Sequence, residues 1–141
     1  MAAHSHYVDG FHVAELLRAR DPSAFELLST VPIRCHCVDD DASLHATGTI
    51  IELEPSIGLH PSRTAAGAAP AGKVQRIRFN DYDRSALTSL PFELVSEFYR
   101  AHRVLTEIIR DESSTLKHKL APGTTAILNN MRVMHGRDAF R

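Results

Sequence analysis

Near the C-terminal end of the chain one imidazole sits in a run suited to presenting it: Asn129-Asn130-Met131-Arg132-Val133-Met134-His135-Gly136-Arg137-Asp138. The β-branched and apolar stretch Thr124 to Leu128 leads into the two amides, with Thr125 to Leu128 read as a strand. A short extended segment then delivers His135, and Gly136 lets backbone pass close by. The pattern predicts an imidazole at a strand end, where a metal ion or substrate can reach it. Fe(II) is commonly held by two histidines and one carboxylate on one face, leaving positions open for other reactants. Taken alone, a lone histidine is more often a packed or solvent-facing side chain.

Other residues of chemical promise read more plainly. His4-X-His6 could hold a metal on an extended segment, but it lies in a terminal stretch expected to fray. Cys35-His36-Cys37 offers soft ligands at a spacing shorter than zinc sites use. On a strand the two cysteines face the same side, and alternation would bury either them or the histidine. They are too close for an ordinary disulfide and read as reduced thiols of an intracellular protein. Asp39-Asp40-Asp41 lacks the alternate ligands of a calcium loop and reads as a solvated turn. Arg100, Arg103 and Arg110 fall among acids on a helix and read as its solvent face.

The elements that must position these residues follow from periodicity and punctuation. Asp9-Gly10 precedes a helix from about Phe11 to Arg18, with Phe11, Ala14 and Leu17 on one face. Asp21-Pro22 starts a second helix with an aspartate cap and proline in its first turn; Phe25, Leu28 and Leu27 would be buried, and Pro32 ends it. Ile33 to Val38 and Thr47 to Leu53 read as strands around the acidic turn. Between Pro55 and Gly72 almost no large apolar residue occurs, so a mobile loop is expected at about 55–72. Lys73 to Asn80 reads as a strand whose imperfect alternation suggests a bulge. Thr88 or Ser89 would cap the longest helix, where Phe92, Val95, Phe98, Tyr99, His102, Leu105 and Ile109 recur at helical spacing through about Arg110. Leu116 to Leu120 reads as a strand and Pro122-Gly123 as a turn.

At 141 residues the chain suits one domain. A formal net charge of -1 gives it no electrostatic pull toward nucleic acid or anionic membrane. No apolar run approaches the roughly 20 residues that span a bilayer. The first residues, Met1 to Tyr7, form neither a signal peptide nor an Arg-rich transit peptide.

Several segments, in order, resemble one enzyme family. Val8-Asp9-Gly10-Phe11 with its helix, then Phe25-Glu26-Leu27-Leu28-Ser29, look like the segment after the first iron ligands of the trimethyllysine and γ-butyrobetaine dioxygenases. Arg78-Phe79-Asn80-Asp81-Tyr82-Asp83-Arg84 looks like their mid-domain strand and turn, and Phe98-Tyr99-Arg100-Ala101-His102-Arg103 like their long helix. Leu120-Ala121-Pro122-Gly123 and the run around His135 resemble the turn and distal iron-ligand segment. Tyr82-Asp83-Arg84 and Ala101-His102-Arg103 lean toward the trimethyllysine enzymes. The chain is thus similar to TauD/TfdA-like Fe(II)/2-oxoglutarate-dependent oxygenases along nearly its whole length.

The resemblance implies an α+β fold, mainly β with helices, forming part of a double-stranded β-helix or jelly roll. It implies Fe(II) and 2-oxoglutarate for hydroxylation of a small trimethylammonium substrate in carnitine synthesis, with a mitochondrial location, the cytoplasm being the alternative. His135 would be the distal iron ligand, and Asn80 would touch substrate through its amide; by itself Asn80 reads equally as a turn former. Tyr82 would stand near an aromatic cage for the cation.

This chain departs from the pattern in three places. Asn129-Asn130-Met131 replaces the family's Asp-Asn-Trp. None of the nine histidines is followed by a carboxylate at His-X-Asp or His-X-Glu spacing. The family's 2-oxoglutarate arginine lies farther beyond the distal histidine than Arg137 or Arg141. The expectation is a partial oxygenase domain over 1–141, incomplete at both ends and inactive alone. A non-catalytic binding or assembly protein, self-associating or pairing with a full-length subunit, is the alternative.

Overall fold

The computed structural model describes residues 4–54, 72–88 and 90–139. Among the described residues the architecture is mixed α/β, with three α-helices and three small antiparallel sheets. The expected 55–72 loop lies outside the described residues apart from Gly72, as does Ser89.

Both early helices start where their aspartates place them. Helix α1 (Gly10–Arg20) is capped by Asp9, whose carboxylate accepts from the Phe11 and His12 amides. Helix α2 (Pro22–Thr30) is capped by Asp21, which accepts from the Ala24 amide, with proline in the first turn. These side chains satisfy amides that the first helical turn leaves without partners. Val13, Ala14 and Leu17 of α1 and Ala24, Phe25 and Leu28 of α2 are completely buried, while Phe11 and Leu27 pack on the margin.

The long helix α3 (Phe92–Arg110) forms as its periodicity requires, but its start and inner face differ from expectation. Pro91 occupies the N-cap position and no side chain caps the helix, so Thr88 does not serve. Phe98, Ala101, Leu105 and Ile108 are buried, whereas Phe92 is 88% and Tyr99 47% exposed. The buried face thus includes the small Ala101, and α3 packs against both α1 and α2. Arg100 is not merely solvated: its guanidinium donates to Asp21 at 2.6 Å and to Glu97 at 3.0 Å, tying α3 to the cap of α2.

The strands depart further from expectation. The first is β1 (Ser5–Asp9), central in the sheet β6–β1–β7, where β6 is Thr115–His118 and β7 is Val133–Arg137. His4 and His6 are therefore not at a frayed end. His6 Nε2 lies 2.5 Å from Asp138 Oδ1, and the Asp138 amide donates to the His4 carbonyl at 3.0 Å. This hydrogen bond from His6 is the main cause holding the Asp138 carboxyl below the usual carboxylate range. Strand β2 (Ile33–Asp39) makes a hairpin with β3 (Ala42–Gly48), and β4 (Ile51–Leu53) pairs with β5 (Val74–Ile77). The single strand expected from Thr47 to Leu53 is thus two. The expected bulge is present: Glu52 faces Arg76 but Leu53 faces Val74, so β5 carries one extra residue. Residues 125–128 form no strand despite their β-branched composition; Ile127 is 94% exposed.

The core is one cluster joining α1, α2 and α3 to Val8, Ile33, Ile50, Ile51, Val74 and Ile77. Among the described residues, no helix is long and apolar enough to cross a membrane.

Candidate functional site

The residues flanking His135 are fixed before the strand begins. Asn129 folds the chain into a turn: its side-chain oxygen accepts from the Met131 amide at 3.1 Å. Its carbonyl accepts from the Arg132 amide at 3.0 Å and the Val133 amide at 2.8 Å. The turn is then held between two elements. The Ile77 amide donates to the Met131 carbonyl at 3.0 Å, and the Gly10 amide donates to the Arg132 carbonyl at 2.8 Å.

Strand β7 leaves this turn paired to β1, with Tyr7 opposite His135 and Val8 opposite Met134. His135 is the middle residue of β7, not a residue at a strand end as its sequence suggested. The strand end forms two residues later because β1 extends far enough to pair with it. Met134 packs against the core, while His135 is exposed.

Asn80 lies on the turn after β5. Its Nδ2 donates to Asp83 Oδ2 at 2.6 Å and its Oδ1 accepts from the Tyr82 amide at 3.0 Å, so it organises the turn directly. The turn is anchored to β2: the His36 amide donates to the Asp83 carbonyl at 2.7 Å and the Ser85 amide to the Arg34 carbonyl at 2.9 Å. The His36 ring is thereby drawn to Ser85, with Nδ1 2.7 Å from its hydroxyl. Cys35 is half-buried and Cys37 exposed, so the strand buries neither the cysteine pair nor the histidine completely.

Asn80 and His135 line the same cleft, whose volume is about 1180 Å³. Its wall also carries Asp81, Asp83, Arg84 and His102, a polar group that the spacing of α3 did not place there. His102 stacks on Phe79 at 5.3 Å and sets Nε2 3.2 Å from Asp81 Oδ1. Burial pushes this imidazole below its ordinary range, against the attraction of Asp81. Arg84 joins Asp81 at 3.3 Å to the Tyr99 hydroxyl at 3.3 Å. The signal for this cluster was the segment Asn80 to Arg84 itself; the pairing with α3 depends on a contact far apart in sequence. Tyr82, by contrast, is 98% exposed and does not line the cleft.

An imidazole is a donor that Fe(II) accepts, and His135 presents one from a paired strand. Among the described residues, however, no three His, Cys, Asp or Glu side chains come together as a metal ion requires. A full ligand set is not formed by the described residues alone.

A cleft crossed by Arg132–Gly136 and faced by the Asn80 turn is the arrangement to set beside known proteins. Residues 4–141 match the model of the family described as taurine catabolism dioxygenase TauD, TfdA family. The chain belongs to this family. It is 35% identical over 133 residues to trimethyllysine dioxygenase, mitochondrial, of Gallus gallus and 34% identical to the protein of that name from Homo sapiens. Each match covers 94% of this chain but 29% of the relative. Identity to γ-butyrobetaine dioxygenase of Homo sapiens is 29% over 139 residues, covering 96% of this chain and 32% of that protein. This TauD/TfdA-family chain therefore spans about a third or less of the curated relatives it matches.

Proposed function

We propose that this chain forms part of the catalytic domain of an Fe(II)- and 2-oxoglutarate-dependent dioxygenase that hydroxylates a trimethylammonium substrate, in the manner of the trimethyllysine dioxygenases. The observation that carries the reading is the run Arg132-Val133-Met134-His135-Gly136 on a fixed strand beside the Asn80 turn, within a family match over residues 4–141. In this reading residues 1–141 are part of one oxygenase domain, and their sheets form part of a double-stranded β-helix. It would work in mitochondria, as the names of the vertebrate relatives suggest, and in carnitine synthesis, as the family resemblance implies.

His135 supplies the distal imidazole, and the remaining iron donors and the 2-oxoglutarate anchor come from outside the described residues. The bound iron and 2-oxoglutarate supply the oxidising chemistry. The chain's own residues hold and orient: β7 fixes the imidazole, and Asn80 offers an amide to the polar end of the substrate. That amide is already set by Asp83 and Tyr82, so little ordering is needed on binding.

The test is to graft residues 4–139 in place of the matching segment of the chicken trimethyllysine dioxygenase. The graft is expected to couple 2-oxoglutarate decarboxylation to hydroxylation of trimethyllysine, and His135→Ala is expected to abolish it. A folded, iron-replete graft with no turnover would instead favour a non-catalytic family member, to which the replacement Asn129-Asn130-Met131 also points.

A further inference from the structure

The start of β7 is gripped at three points by the start of α1, three residues ahead of His135. First, Arg132 makes a forked ion pair with Asp9, Nε to Oδ1 at 3.0 Å and Nη2 to Oδ2 at 2.6 Å. Second, the Gly10 amide donates to the Arg132 carbonyl at 2.8 Å. Third, the guanidinium lies over the Phe11 ring, 5.4 Å from its centre. Gly10 has no room to be anything else: a Cβ there would stand 2.6 Å from the Arg132 carbonyl oxygen and 2.2 Å from a methyl of Ile77.

Asp9 is committed by the same contacts. Its carboxylate also caps α1 through the Phe11 and His12 amides. It pairs with Val133 in the β1–β7 register, whose next steps are Val8 with Met134 and Tyr7 with His135. A strand register set by a fork at one end cannot slip without turning every following side chain to the other face. A fork needs arginine: lysine keeps the charge and loses the second, geometry-setting bond.

We propose that Asp9, Gly10 and Arg132 form a clasp that sets the position of His135, which makes Asp9 and Arg132 positioning residues for the iron ligand. The inference rests on the reading of His135 as that ligand, and it deepens that reading by naming what aims the imidazole.

The test is made in the graft of residues 4–139 into the chicken enzyme, and compares the wild-type segment with Arg132→Lys, Arg132→Gln and Arg100→Gln. The last breaks an ion pair equally short, at 2.6 Å to Asp21, on a different part of the fold. It controls for general loss of stability. Two readouts are followed: amide hydrogen exchange along Val133–Arg137, and broadening of the His135 ring signals by added Ni(II), with His135→Ala as the blank. Both Arg132 variants are expected to speed exchange across β7 and to need about 10-fold more Ni(II) for equal broadening. Arg100→Gln is expected to lower the melting temperature with neither change.

Equal effects of Arg132→Gln and Arg100→Gln on β7 exchange would overturn the clasp. So would an Arg132→Lys variant indistinguishable from wild type. A wild-type His135 that Ni(II) does not broaden would count against the ligand reading, while the exchange data still decide the clasp.

Discussion

At the scale of the residue, several aspartates organise backbone: Asp9, Asp21 and Asp111 each accept from amides of the turn that follows them. Asp21 is the strongest case. Its carboxyl is lowered to about 2, first by the Ser23 hydroxyl, then by the Ala24 amide and the Arg100 guanidinium, all against its partial burial. A depressed carboxylate contributes stability that is complete above its unfolded value of 3.8 and lost as pH falls from there toward about 2. Asp21→Ala is therefore expected to cost about 1–2 kcal/mol at neutral pH and to flatten the acid limb of the melting curve in that window. His102 has the same pH sense from a different cause and in a higher window. Burial favours its neutral ring, so stability is expected to fall as pH drops below 6.5, with the loss complete once the folded ring is also protonated. His102→Gln should remove that dependence, which thermal melts between neutral and mildly acid pH would reveal. For Asn80 both sequence readings concern the same amide. The turn-forming contacts are in the structure, and the substrate contact belongs to the proposed function.

At the scale of the element, helices were more legible than strands, and the reason is locality. Asp9-Gly10 and Asp21-Pro22 carry their own start signals, because an aspartate cap acts within a few residues. The inner face of α3 was read less well: Phe92 and Tyr99 fit the helical period but lie at its exposed margin, while Ala101 is buried. Leu105→Ala is accordingly expected to cost about 2–5 kcal/mol in denaturant unfolding. Phe92→Ala should stay within about 0.5 kcal/mol. Strands depended on distant partners. The polar segment Ser5–Asp9 becomes a central strand only because residues 115–118 and 133–137 arrive on either side of it. The hairpin strand Ala42–Gly48 is exposed along nearly all its length, so it had no alternating pattern to display. Thr125 to Leu128 had the composition of a strand, but among the described residues no neighbouring strand pairs with it.

At the scale of the whole molecule, the chain combines a compact helical core with surfaces that are unusually open. Val38 and Leu44 are each 67% exposed, Leu116 66% and Ile127 94%. Among the described residues β6 and β7 are the outer strands of their sheet, and such edges invite pairing. The 141-residue polypeptide alone is expected to self-associate at micromolar concentration, which sedimentation would show; a monomer melting cooperatively would contradict this. The family was legible from the order of its segments, Val8 to Phe11, Arg78 to Arg84, Phe98 to Arg103 and the His135 run, since each sits at a junction the fold must hold in place. The proposed iron site was only partly legible, because a single imidazole would be one donor among several and no donor cluster forms among the described residues. The central claim is that this segment carries a working part of a trimethylammonium hydroxylase. Its most direct test is product formation by the graft of residues 4–139 into the chicken enzyme, given Fe(II), 2-oxoglutarate and trimethyllysine. Hydroxylated product that disappears with His135→Ala is predicted; a folded graft that binds iron and makes no product, or turnover that survives His135→Ala, would contradict it.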